Sequence, residues 1–107
     1  MIGKIVTITV DRPLGSTHPA YPDTRYPVNY GYIEGTMAPD GEEEDAYILG
    51  VEEAVAKFTG RVIAGIRRKN DIEQKWVVAP IGTLFTMKEI EALTHFQERY
   101  FESEIFQ

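Results

Sequence analysis

A complete set of helix signals appears at the C-terminal end of this chain, after a series of short β-like runs. Thr86 is a good N-cap, and Glu89 three residues later completes a capping box. Phe85 and Ile90 occupy the hydrophobic-staple positions. Ile90, Leu93, Phe96 or Gln97, Tyr100 and Phe101 give an apolar stripe at helical spacing. The preceding segments are too short for helices and alternate with period two. In residues 5–10, Val6, Ile8 and Val10 face one way and Thr7 and Thr9 the other. Arg12-Pro13 ends that strand, because proline has no amide to donate to a ladder. Residues 30–33 and 47–49 read as two further short strands. Residues 61–66 and 72–79 read as a pair joined around Lys69-Asn70-Asp71, where Asn and Asp tolerate tight-turn conformations. In its second strand Ile72, Gln74, Trp76 and Val78 share one face, and Asp71, Glu73, Lys75 and Val77 the other. Residues 52–57 fit either a helical turn or a polar connection. About five strands followed by one helix imply a mainly β fold, a small barrel of the oligonucleotide-binding (OB-like) type capped by a C-terminal α-helix.

The chain has 107 residues, enough for one domain spanning 1–107. A 43% hydrophobic fraction argues for a packed core and against disorder. The net charge of −6 disfavours nucleic-acid and anionic-membrane binding. No cysteine is present, which excludes disulfides and thiolate metal sites, and two scattered histidines argue against zinc. No apolar run approaches the roughly 20 residues of a membrane helix, and no signal-peptide pattern opens the chain, so a cytoplasmic location is expected.

The chemistry concentrates in two blocks. Residues 13–27 form an irregular stretch with Pro13, Pro19, Pro22 and Pro27, long enough to imply a functional role or mobility. Tyr26-Pro27-Val28-Asn29-Tyr30-Gly31-Tyr32-Ile33 follows it. Next comes Asp40-Gly41-Glu42-Glu43-Glu44-Asp45, five carboxylates in six residues. Acidic runs are usually solvated loops. Clustered carboxylates are also what Mg²⁺ favours, together with waters and phosphate oxygens.

The order of these pieces resembles family I soluble inorganic pyrophosphatases. The resemblance rests on Tyr26 to Ile33, on Asp40-Gly41 with Asp45, on Glu73-Gln74-Lys75-Trp76-Val77-Val78-Ala79-Pro80, and on Thr94-His95-Phe96-Gln97-Glu98-Arg99-Tyr100. It implies a small OB-like five-stranded barrel that hydrolyses inorganic diphosphate with Mg²⁺ as cofactor, assembled as a homo-oligomer. By the same resemblance Asp40 and Asp45 match metal ligands, and Glu73 replaces an aspartate ligand. Asn70 or Asp71 falls where a further metal-binding aspartate is expected. Glu42 stands where an aspartate helps generate the nucleophilic hydroxide. Lys75 matches a phosphate-binding lysine, with an ion pair to Glu73 as the equal competing reading. Tyr30 and Tyr100 match tyrosines that contact substrate or its waters, and Tyr26 an aromatic at the site edge.

The departures are also specific. The chain is shorter than the familiar bacterial members, mostly near the N-terminus. The family lysine expected there has no counterpart, and the arginine is replaced by Arg12 or Arg25. Phe101 stands where a lysine usually follows the helix tyrosine. The metal cage is kept while the cationic clamp is thinned, unless Arg67-Arg68-Lys69 reaches the site. A diverged relative that binds metal or phosphate, or that hydrolyses a related phosphoanhydride, is the alternative.

Overall fold

The computed structural model describes residues 1–70 and 73–107. The expected strands and helix form among the described residues, with different lengths, and the expected start of the last strand at Ile72 lies outside them. The strands are β1 (Ile5–Arg12), β2 (Asn29–Ile33), β3 (Asp45–Ile48), β4 (Lys57–Arg68) and β5 (Gln74–Ala79). Helix α1 (Met87–Glu98) follows, and then a short strand, β6 (Ser103–Phe106). Residues 52–56 contain no helix and lead directly into β4.

The sheet order is β1-β2-β3-β5-β4-β6, and β1 also pairs with β4. The second pairing closes β1 to β5 into a five-stranded barrel. β4 has twelve residues and serves several partners: its first part pairs with β1, its second with β5 and β6. β6 is an addition to the expected plan, four residues laid antiparallel along the end of β4. Gly65 makes room for it, since a Cβ there would overlap the Phe106 ring. At Gly31 a Cβ would overlap the Thr9 carbonyl, so β2 approaches β1 closely where the β1 register shifts between Val10 and Arg12.

Strand alternation divides the core into two. Ile8, Ile33, Ile48, Val62 and Val78 come one from each barrel strand and fill the interior, with Ala46 and Trp76. Val6 and Val10 pack against them, as the β1 alternation predicts. Tyr30, Tyr47, Leu49, Ala64, Ile66 and Val77 point outward and pack under α1 around Ile90. The irregularity between Val62 and Ala64 moves the second half of β4 onto this outer face.

The helix begins as expected. The Thr86 hydroxyl accepts from the Glu89 amide at 3.1 Å, and the Glu89 carboxylate accepts from the Thr86 amide at 2.8 Å. Its buried face matches the stripe read in the sequence at Ile90 and Gln97, with Leu93 and Phe96 packed against the core, and departs from it elsewhere. Ile90, Thr94, Gln97 and Glu98 are the buried positions, while Tyr100 and Phe101 lie beyond the helix end and are exposed. The reason is chemical, since the barrel wall offers tyrosine hydroxyls and an arginine that satisfy Gln97 and Glu98.

The proline-rich segment is held by backbone hydrogen bonds. Gly15 N–H donates to the Tyr26 carbonyl, Tyr26 N–H to Ser16, and His18 N–H to Thr24. Fully buried Asn29 anchors it: its Oδ1 accepts from the amides of Leu14 (2.9 Å) and Val55 (3.2 Å), and its Nδ2 donates to the Glu53 carbonyl (2.9 Å). Asn29 thus ties two irregular segments to β2. Among the described residues no helix is long and apolar enough to cross a membrane.

Candidate active site

The outward faces of β2, β3, β4 and β5 carry several of the candidate site residues, and alternation explains why. Asp45 shares a face with Tyr47, Lys75 and Glu73 share one with Val77, and Arg68 shares one with Ile66. A cleft of about 320 Å³ opens where this wall meets α1 and the proline-rich segment. Asp45, Tyr30, Tyr26 and Arg12 line it together with Tyr100. Of Arg12 and Arg25, it is Arg12 that lines the cleft.

Asp45 is the hub. The Lys75 ammonium donates to its Oδ2 at 2.8 Å and lies 3.6 Å from Glu73 Oε2. Lys75 is buried and ion-paired, more closely to Asp45 than to Glu73, so the ion-pair reading holds with Asp45 as the nearer partner. Asp40 comes from the acidic loop, close enough to Glu73 to be influenced by it. That influence, with a hydrogen bond from the Glu42 amide, holds the Asp40 carboxyl below its usual range. The Tyr30 hydroxyl lies against Asp45. Burial, and then the Asp45 charge, push its pKa well above the ordinary tyrosine value, so it remains a proton donor.

Other predicted residues are placed differently. Glu42 is exposed in the loop, with its amide donating to Asp40 Oδ1 at 3.0 Å. Tyr26 gives its ring to the cleft wall, while its hydroxyl donates to Gln97 Oε1 at 2.9 Å. The Tyr100 ring stacks on Tyr21 with centroids 5.2 Å apart, and its hydroxyl accepts from Arg99. Asp71 lies outside the described residues, and Asn70 is exposed in the adjoining turn. The three basic residues at the end of β4 separate. Arg67 pairs with Glu104 and Lys69 with Glu102, both exposed, whereas Arg68 lines the cleft.

A buried polar chain runs beneath the site and escaped sequence reasoning. Tyr26 donates to Gln97, and Gln97 Nε2 donates to the Tyr47 oxygen at 2.8 Å. Tyr47 in turn donates to Glu98 Oε2 at 2.6 Å. Arg68 closes the chain with a two-pronged grip on Glu98, Nε to Oε1 at 3.0 Å and Nη2 to Oε2 at 2.7 Å. Burial, and then the neighbouring Glu98 charge, raise the Tyr47 pKa and keep its hydroxyl a donor. Tyr47 looks in the sequence like a plain strand aromatic. Asp11 is a further cleft acid: partial burial raises its pKa against the pull of Arg12. His18, read as structural or exposed, lines the cleft with its ring stacked on Tyr26.

With this geometry in hand, known proteins give a consistent match. The family described as inorganic pyrophosphatase matches residues 4–105. This chain belongs to the inorganic pyrophosphatase family. Among solved structures, inorganic pyrophosphatase from Ehrlichia chaffeensis superposes with a TM-score of 0.73 at 18% identity, covering 100% of this chain and 87% of that one. The Coxiella burnetii inorganic pyrophosphatase gives 0.68 at 16% identity, covering 98% and 85%. That from Neisseria gonorrhoeae gives 0.64 at 21% identity, covering 92% and 74%. No curated protein matches the sequence. At these identities the superpositions establish the barrel and its C-terminal helix, and the family match makes the chain a pyrophosphatase-family enzyme.

The expected donor set can be tested for its fit to a divalent cation. Among the described residues, no three acid or histidine side chains group closely enough to hold a metal by themselves. Yet Asp45 is joined to Glu73 through the Lys75 ammonium, and Glu73 is close enough to Asp40 to influence its carboxyl. Neighbouring carboxylates repel unless a proton or a cation lies between them. Oxygen-only donors suit a hard ion such as Mg²⁺. The donor chemistry suits such an ion, while the described residues bring these acids together only in pairs, with Lys75 between two of them.

Proposed function

We propose that the cleft hydrolyses inorganic diphosphate to two phosphates in a Mg²⁺-dependent reaction. The observation that carries this reading is the convergence of Asp40, Asp45, Glu73 and Lys75 beside the Tyr30 hydroxyl, in a chain of this family. Asp40, Asp45 and Glu73 hold the cation, and Asp71 is assigned to the same set from its sequence position. When bound, the ion supplies positive charge that polarises the phosphate oxygens.

The chain's own residues do the rest. Arg12 grips one phosphate from the cleft wall by charge-assisted hydrogen bonds. Lys75 exchanges its carboxylate partners for a phosphate oxygen and so neutralises charge on the substrate. Tyr30 donates to a phosphate oxygen or its water, and Tyr100 does so from the cleft mouth. Tyr26 shapes the edge with its ring. Glu42 accepts a proton from the attacking water. The water oxygen forms the new P–O bond as the bridging P–O bond breaks, and the bridging oxygen leaves with the second phosphate. Glu42 is one methylene longer than aspartate, and a misplacement of about 1 Å costs up to about 10²-fold in rate, so slow turnover is expected.

Phosphate release from diphosphate, measured with and without Mg²⁺ beside an Asp45→Asn variant, tests the reading. Metal-dependent release that the variant loses supports it. Absence of release from the wild type at saturating Mg²⁺ and diphosphate removes it.

A further inference from the structure

Diphosphate is a compact polyanion, and the cleft described above supplies few cations to it. Lys75 is engaged by Asp45 and Glu73, which leaves Arg12 on one wall. The remaining guanidinium in the lining is Arg68, at the end of β4. We propose that Arg68 is a second anchor for the substrate, a diphosphate-binding residue that Glu98 holds ready. This rests on the hydrolytic reading of the cleft.

Three features of Arg68 argue for a binding role beyond an internal ion pair. Only two of its nitrogens are spent. Nε and Nη2 grip Glu98, and Nη1 makes no hydrogen bond among the described residues. Its orientation is fixed twice, by the two-pronged bond to Glu98 and by the Phe101 ring 3.8 Å below the guanidinium. A guanidinium already immobilised loses little freedom when an anion arrives. Finally, the Glu98 charge is shared, because the Tyr47 hydroxyl also donates to it at 2.6 Å. The side chain is 10% exposed, enough for an edge to meet the cleft while the rest is enclosed. Arg68 lines the same cleft as Tyr30 and Asp45. Neighbouring Arg67 and Lys69 show what a merely solubilising residue does here: both sit on exposed acids away from the cleft.

Arg68→Lys keeps the charge but replaces the planar fork with a point donor. The prediction is a KM for diphosphate raised about tenfold with kcat changed less than about threefold, while Arg67→Gln leaves both unchanged. An unchanged KM in a folded Arg68→Lys protein overturns the proposal. A second measurement needs no variant. In ¹⁵N-arginine-labelled wild type with Mg²⁺, the Arg68 side-chain resonances are followed as methylene diphosphonate is added. A saturable shift at Arg68 supports the anchor, and its absence overturns it, whether or not Arg12 responds. This titration separates the two ideas: wild type that releases no phosphate refutes the hydrolytic reading, yet the diphosphonate still reports whether Arg68 binds the anion.

Discussion

Substituting Glu98 by Gln tests the polar chain under the cleft with a nearly isosteric change. Glu98 and Arg68 have side-chain exposures of only 7% and 10%, so the pair lies out of bulk water. Removing one member of such a pair costs about 3–5 kcal/mol, because the other charge stays buried without compensation. Here the lower end applies, since the introduced glutamine would still accept through its carbonyl oxygen and one edge of Arg68 meets the cleft. We therefore expect a loss of about 3 kcal/mol, a fall of about 1.5 M in the urea midpoint for an m-value of about 2 kcal/mol/M. The corresponding fall in Tm is about 12 °C, at about 4 °C per kcal/mol. Tyr47→Phe removes one hydrogen bond to the same carboxylate at 2.6 Å and should cost about 1.5–3 kcal/mol. The double change Arg68→Met with Glu98→Gln removes both charges, keeps an acceptor for Tyr47, and should be at least about 1 kcal/mol more stable than Glu98→Gln alone. Urea unfolding followed by circular dichroism measures all of these. A Glu98→Gln loss under about 0.5 kcal/mol, or a double variant less stable than the single, would refute the reasoning.

Three further perturbations have defined outcomes. Gly31→Ala drives a Cβ into the Thr9 carbonyl where β1 and β2 close, and should cost more than about 3 kcal/mol by thermal melting. Asn29→Ala strands the Leu14 and Val55 amides and the Glu53 carbonyl, with an expected loss of about 3 kcal/mol and faster amide exchange in residues 13–25. Glu89 titrates below the ordinary glutamate value of 4.5 because it accepts hydrogen bonds from Thr86. Its contribution is therefore present above that value and lost as pH falls through the lower folded-state one. Glu89→Ala should destabilise the protein at pH 7 and converge with wild type in acid, which melts across pH 2–7 would show.

The sequence made the barrel legible because period two is local. The β1 alternation assigned Val6, Ile8 and Val10 to the interior, and the helix cap was readable from Thr86 and Glu89 alone. The residues that pass beyond local pattern were harder. β6 is four residues long and depends on β4 extending to Arg68 and on the absence of a side chain at Gly65. The helix face was read only in part: Ile90 and Gln97 were on the stripe, whereas Glu98 is buried only by virtue of partners on Tyr47 and Arg68, 51 and 30 residues away. Similarly, Asp45, Glu73 and Lys75 came together because β3 and β5 are parallel neighbours, whereas the motif order alone left Lys75 divided between two roles. Arg67, Arg68 and Lys69 look equivalent as a basic run. Strand alternation and the turn separate them, sending one residue into the cleft and two onto the surface.

The central claim is that the outer wall of the barrel is where a metal-assisted diphosphate reaction occurs. Crystals grown with Mn²⁺ in place of Mg²⁺ and with methylene diphosphonate provide its most direct test, because anomalous scattering locates the ions independently of activity. The account predicts anomalous peaks within about 2.5 Å of carboxylate oxygens of Asp40, Asp45 and Glu73, with the diphosphonate between them and Arg12. Metal peaks or diphosphonate found only elsewhere on the protein would contradict it.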